Sequence, residues 1–401
     1  MQSFTPLGST IRPVQHRDLA AIQQLQLAES VETLAPDCSP YTRQVKHWFA
    51  LVRLASWFPN PFQHLFRVYV AEVGGQILGF IRVSPLNSSH STWQIDQLAV
   101  GDASYQNIGT QLIRHSLECC TDARTWMLDV DVNYKDAIAL YRQNGFQPLA
   151  HITDWEIGME ALVELAEHQV DLPNLLPVNN ADARLLYQLD TAAMPPQIRQ
   201  IYDLGINDFR SSLTNQLLNH GQRMVSHTQE VTGYVYEPQR KAAIGYFAVA
   251  MNLPPNAKTL KTLSKTNSET PAAQLTTKPT LAHRCQLTVH PAYTWLYPEL
   301  MSQIAKIVTN QSDLVNHSLL ITSTDYQPER EAYLEQIQAT SRRHALLMAR
   351  SVWHKVRESK PVLDALQLSR MLSGLQPVQK PVPGRIDAMP PTHPNHPEEL
   401  P

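Results

Sequence analysis

The chain has 401 residues, a length of two or three domains at roughly 150 residues each. Hydrophobic residues make up 43%, which excludes a mainly disordered chain. The 33 Lys and Arg against 36 Asp and Glu give a net charge of −3, without the basic excess of a DNA-coating protein.

The elements start with a short strand at 10–12. Asp18 then opens an apolar-periodic helix through Leu19, Ile22, Leu25 and Leu27, and a second helix is expected over 41–58. Two β-rich runs, 66–73 and 76–83, flank Gly74-Gly75, a strong hairpin signal. A strand over 93–100 leads through an irregular loop into a helix from about 109 to 120. A strand over 126–132, a helix over 135–143 and an extended run from 146 complete a mixed α/β sheet, ordered β-α-α-β-β-β-α-β-α-β. Residues 161–180, with Pro173 and Pro177, read as a junction.

From 182 the order restarts. Helices at 182–193 and 197–219 precede hairpin-like strands at 231–237 and 242–251. A Thr-, Lys- and Pro-rich stretch, 252–282, reads as a flexible insertion. Strand 285–289, helix 295–308, strand 319–323, helix 329–338 and an extended run over 345–356 follow. In that run Arg342, Arg343, Arg350 and Lys355 interleave with Leu346, Met348 and Val352, like a strand with one wet face. A helix over 361–375 precedes a tail, 376–401, whose eight prolines predict disorder.

The expected domains are 9–160 and 172–358. Four cysteines, Cys38, Cys119, Cys120 and Cys285, lack metal-ligand spacing and read as reduced thiols, and the scattered histidines suggest no metal site. The longest apolar run, 242–251, is too short to span a membrane, and no secretory leader is visible. A cytoplasmic location is expected, with no membrane or nucleic-acid partner.

Two pieces carry the chemistry. One is Ile95-Asp96-Gln97-Leu98-Ala99-Val100, followed by a loop to Gly109-Thr110-Gln111. The other is Leu128-Asp129-Val130, then Asn133, Ala137, Leu140-Tyr141 and Gly145-Phe146. Their spacing resembles the GNAT N-acetyltransferase superfamily over residues 9–158. The fold this implies is α/β, an α+β mixed sheet, in two tandem GNAT-like domains. The resemblance implies acetyl-CoA as acyl donor, no metal, and direct transfer of the acetyl group to a primary amine on a small molecule or peptide. By the same resemblance Leu98, Ala99 and Val100 line the pantetheine arm. Gln106, Asn107, Ile108, Gly109 and Thr110 approach the pyrophosphate, with Asn133 nearby. A loop that opens a helix aims unpaired N–H groups at an anion, which suits that role. Tyr141 matches the residue that protonates the leaving thiolate, and Asp96 is the local candidate for the base.

Other readings stay open. Tyr141 could be a packed aromatic, Asp96 an exposed strand carboxylate and Gly109 an ordinary loop glycine. The loop keeps a single glycine: counted from Gln106 its last position is Gln111, and counted from Ser104 its inner position is Asn107. The second half resembles the superfamily at Leu287-Thr288-Val289-His290-Pro291, but Trp295, Tyr297 and Pro298 replace the glycines. It reads as a degenerate copy that does not bind CoA. The alternative function is a non-catalytic binding or regulatory protein, and a homodimer is left open.

Overall fold

The structure is a computed structural model, and it describes residues 9–27, 66–101, 105–210, 228–252, 280–310 and 316–352. The expected helices at 41–58 and 361–375, most of the 252–282 insertion and the tail lie outside these residues.

The elements in chain order are β1 (Thr10–Pro13), α1 (Leu19–Leu27), β2 (Arg67–Val73), β3 (Gln76–Pro85) and β4 (Thr92–Val100). There follow α2 (Tyr105–Cys119), β5 (Thr125–Asp131), α3 (Lys135–Gln143), β6 (Gln147–Ile157) and α4 (Met159–Glu167). The second half contains β7 (Leu175–Pro177), α5 (Ala183–Ala193), α6 (Pro196–Tyr202), β8 (Thr228–Glu237) and β9 (Ala242–Asn252). It ends with β10 (Thr280–Val289), α7 (Leu296–Thr309), β11 (Asn316–Thr324), α8 (Pro328–Gln336) and β12 (Thr340–Ser351).

Among the described residues twelve strands join one sheet, in the order β1-β2-β3-β4-β5-β12-β6-β11-β10-β9-β8-β7. Only β4–β5 and β10–β11 are parallel; the other neighbours are antiparallel. The order reads alike from either end, because the halves exchange strands. β12, from the second half, pairs with β5 and β6 of the first, and β6 pairs with β11 of the second.

Side-chain alternation sorts the helices onto two faces. One face packs Trp93, Ile95, Leu98, Val100, Leu128 and Val130 against Ile108 and Leu112 of α2 and Ala137, Leu140 and Tyr141 of α3. Along the same face, Trp155, Ile157, Leu287 and Ile321 meet α4, α7 and α8. The other face packs Val68, Val70, Phe80 and Ala99 on Ile22 of α1, and Met127, Ala150 and Leu347 on Ile198 and Tyr202 of α6.

Three local expectations change. The junction contains α4, a run of good helix formers whose Leu162 is buried in the core. The helix expected over 197–219 stops at Tyr202, where Asp203 turns left-handed at φ 46° and its N–H caps the Arg199 carbonyl at 2.9 Å. A 3-10 turn, Ile206–Phe209, follows. The expected wet face of the last strand is covered, because β12 is interior: Arg343 shares a face with buried Ala345 and Leu347, and its side chain is 16% exposed.

Candidate functional site

The site begins with one extra residue in β4. Arg82 faces Gln97 and Val83 faces Ile95, so Asp96 is a β-bulge against β3. A bulge bends its strand and re-aims side chains. The apolar face accordingly slips by one, from Trp93 and Ile95 to Leu98 and Val100. Just before the bulge, β4 and β5 separate: their parallel ladder covers only Thr92–Thr125, Trp93–Trp126 and Gln94–Met127. A cleft opens beyond it. The Gly101 N–H donates to the Leu78 carbonyl of β3 at 2.9 Å. Alternation along that antiparallel ladder turns the N–H and C=O of Leu98 and Val100 toward the cleft.

The two sides of the cleft differ in chemistry. On the helical face of α2 and α3, Tyr141 is fully buried, with its ring edge-on to Phe146 at 5.8 Å. It shares a cluster with Leu98, Val100, Leu128 and Val130, the strand residues that flank the cleft. Ala137, also buried there, offers only a methyl group.

The opposite face is acidic. Asp96 is buried, which overturns its reading as an exposed carboxylate. It accepts a hydrogen bond from Ser84 Oγ at 2.9 Å and lies 3.4 Å from Arg82 Nε. Burial pushes it up to about 6, helped by the nearby charge of Asp129 and opposed by Arg82 and Ser84. Asp129, on β5, is likewise raised by burial and opposed by Arg343. Arg343 comes from β12: its Nη1 lies 3.1 Å from Asp129 and 3.2 Å from Asp154, and its Nε 3.7 Å from Asp131. A residue of the second half therefore balances the carboxylates beside the first cleft. Sequence reading missed this role because Arg343 looked solvated.

The second half also covers this side. Thr92 Oγ1 donates to the Ile201 carbonyl at 2.7 Å, and Asn87 Nδ2 to the Asp203 carbonyl at 2.9 Å. Ser91 Oγ donates to Asp203 at 2.5 Å. These bonds fix the end of α6 against the β3–β4 connection.

The expected anion loop is partly helix. α2 is described from Tyr105, so Gln106, Asn107 and Ile108 lie in its first described turn. Gln106 and Asn107 are exposed, and their side chains bond within the helices, to Gln143 and Gln111. Thr110 Oγ1 accepts from Asn144. Anion contact there falls to the backbone. Gly109 is buried, and a Cβ on it would stand 2.7 Å from Leu140 Cδ2, so α2 packs closely on α3 there and a larger residue would have to displace the end of the Leu140 side chain. Asn133 is exposed in the turn before α3, its N–H bonded to Asp131. These features fit an acyl-CoA: an open strand edge for an extended arm, a small residue beside it and the N-terminal part of a helix nearby.

The second half has the corresponding cleft, since β10 and β11 part after Cys285 and Ile321. It is filled. Arg330 of α8 donates through Nη1 to the Thr322 carbonyl at 3.1 Å and through Nη2 to the Leu287 carbonyl. Tyr297 is buried and stacks on Tyr333 at 6.2 Å, while Trp295 is 56% exposed.

Comparison with known proteins agrees with this architecture. Residues 28–146 match the model of the Acetyltransferase (GNAT) family. A tandem GNAT protein from the clavulanic acid biosynthesis pathway is 13% identical, over 86% of this chain and 98% of its own, at a TM-score of 0.50. A GCN5-related N-acetyltransferase from Sphaerobacter thermophilus is 12% identical, over 86% of this chain and 95% of its own, at a TM-score of 0.47. No curated protein matches. The family match thus falls in the first half, and the chain as a whole has the tandem GNAT fold. Among the described residues no helix is long and apolar enough to cross a membrane, and no group of three His, Cys, Asp or Glu is placed to hold a metal.

Proposed function

We propose that the chain is an N-acyltransferase with one working cleft, in its first half, that moves an acetyl group from acetyl-CoA to a primary amine. The observation that carries this is the cleft between β4 and β5, with Tyr141 on one face of the sheet and Asp96 on the other. Acetyl-CoA, when bound, supplies the acyl group as an activated thioester. The N–H and C=O groups of Leu98 and Val100 hold the extended arm like an added strand, and first-turn amides of α2 meet the pyrophosphate. Asp96, with its pKa raised to about 6, is ionised at neutral pH yet basic enough to take a proton from the attacking amine, directly or through water. Tyr141 gives a proton to the departing sulfur. Fixing both reactants across one opening supplies much of the rate through proximity.

Calorimetric titration with acetyl-CoA tests the reading directly, and one site per chain is the expected result. Tyr141→Phe should keep that affinity and lower turnover on the order of 10²-fold. A non-catalytic binding protein is the second reading, favoured by the filled cleft of the second half. It predicts no thiol release with any amine.

A further inference from the structure

Neighbouring strands of the sheet, β3, β4, β5, β12 and β6, bring charged side chains to the face opposite α2 and α3. In sheet order they are Arg82, Asp96, Asp129, Arg343 and Asp154. Arg82 Nε lies 3.4 Å from Asp96, and Arg343 Nη1 lies 3.1 Å from Asp129 and 3.2 Å from Asp154. The row contains one like-charged step, Asp96 to Asp129, and it falls where β4 and β5 part. Each of these aspartates stands two residues past the last paired position of its strand, Gln94 or Met127. Two arginine–carboxylate pairs therefore meet across the cleft with their carboxylates inward.

A buried carboxylate takes up a proton unless a cation or hydrogen bonds hold its charge. At Asp129 burial is opposed by Arg343. Asp96 is raised by burial, against Arg82 and Ser84, and the charge of Asp129 adds to the rise. The carboxylates paired with Arg343 are Asp129, Asp131 and Asp154, and Asp96 is not among them. Tyr202 of α6 also feels Asp129, but burial keeps its phenol neutral. Asp190 of α5, Tyr326 and Arg330 line the cavity that Asp129 and Asp154 border.

We propose that Arg343 is a positioning residue for the first cleft and acts on Asp96 through Asp129: by keeping Asp129 charged, it keeps Asp96 ready to accept a proton. The proposal rests on Asp96 being the base of that cleft. Its signature is a reversed sign. Removing a cation ordinarily raises a nearby carboxylate. Removing Arg343 should lower Asp96 instead, because Asp129 then takes up a proton and its charge leaves the cleft. The second half thus sets how strongly the first cleft draws a proton from the attacking amine.

The test is a pH titration of the full chain by NMR, with isotope-labelled aspartate carboxyl groups. Signals are assigned by their loss in Asp96→Asn and Asp129→Asn. Asp96 should titrate near 6 in the unaltered chain. Arg343→Gln keeps a hydrogen-bond donor beside Asp129 but removes the charge. In it Asp129 should be protonated at neutral pH, and Asp96 should titrate lower by roughly one pH unit or more, the order of one neighbouring charge. Asp129→Asn should lower Asp96 alike, and the double variant should match Asp129→Asn. Arg343→Lys should leave Asp96 near its unaltered value. An Asp96 that rises or stays in Arg343→Gln, or a double variant unlike Asp129→Asn, would overturn the proposal. If Arg343→Gln does not fold, Asp129→Asn decides, and an unmoved Asp96 there overturns it. Failure of the transfer reading shows separately, as no heat with acetyl-CoA.

Discussion

Removing the cation from Arg343 tests the coupling of the two halves quantitatively. Arg343→Met keeps the length and apolar stem of the side chain but leaves Asp129 and Asp154 buried without their partner. Both are already raised above the ordinary 3.8 by burial; Arg343 opposes this at both, and the Thr322 hydroxyl also does so at Asp154. Removing one partner of a buried pair typically costs about 3–5 kcal/mol. Proton uptake sets a ceiling on that cost. A carboxylate of intrinsic value 3.8 can be neutralised at pH 7 for about 4.4 kcal/mol, and at pH 5 for about 1.6 kcal/mol. With folded pKa values raised, the unfolded chain binds fewer protons than the folded one between pH 4 and those values, so the variant loses stability as pH rises. Urea unfolding at pH 5 and pH 7 should show a deficit of several kcal/mol at pH 7 that shrinks at pH 5. A deficit under 1 kcal/mol, or one that does not change with pH, would refute the account of Arg343 as the charge that holds these carboxylates.

A chain ending at Pro177 loses β12, so β5 keeps only three paired positions with β4 and gains an open edge. Size-exclusion chromatography and hydrogen exchange should find it oligomeric or unprotected, and a monomer with protected β5 amides would contradict the exchanged-strand topology. Asp96→Asn should abolish turnover; in the unaltered chain kcat/KM should rise through an acidic limb near pH 6, and a flat profile from pH 5 to 7 would remove Asp96 as the base. His283 and His317 form a buried pair, with ring nitrogens 2.8 Å apart, and burial pushes His283 down to about 4. The unfolded chain takes up that proton near 6.5, so stability should fall between pH 6.5 and 4, and His283→Gln should flatten the decline in thermal unfolding.

What the sequence makes legible is local. Gly74-Gly75 defines its hairpin, and α3 spans the expected residues 135–143, because turn chemistry and helical periodicity act over a few neighbours. The bulge at Asp96 also leaves a trace, the slip of the apolar period from Ile95 to Leu98. Strand order leaves none. Nothing within 340–351 says that its partners are β5 and β6, nearly two hundred residues earlier, so Arg343 read as a surface charge. For Arg330 the sequence shows only an arginine early in a helix; that it fills a cleft depends on where two distant strands diverge. Gly109 matched the family spacing, yet its close contact is with Leu140 of another helix, which no local pattern shows.

The place of β12 also orders events during synthesis. β5 and β6 leave the ribosome early, but the strand that belongs between them is the last one described. About 190 residues separate the end of β6 from the end of β12, which at 5–20 residues per second is on the order of 10–40 s. For that interval the nascent first half carries an unfilled slot in its sheet, with Met127 and Leu128 on one side and Ala150 and Ile152 on the other. Such an edge invites pairing with neighbouring chains. Protection of the β5 and β6 amides during synthesis should therefore wait for β12, and chaperones that shield unpaired strands should raise the yield of native protein.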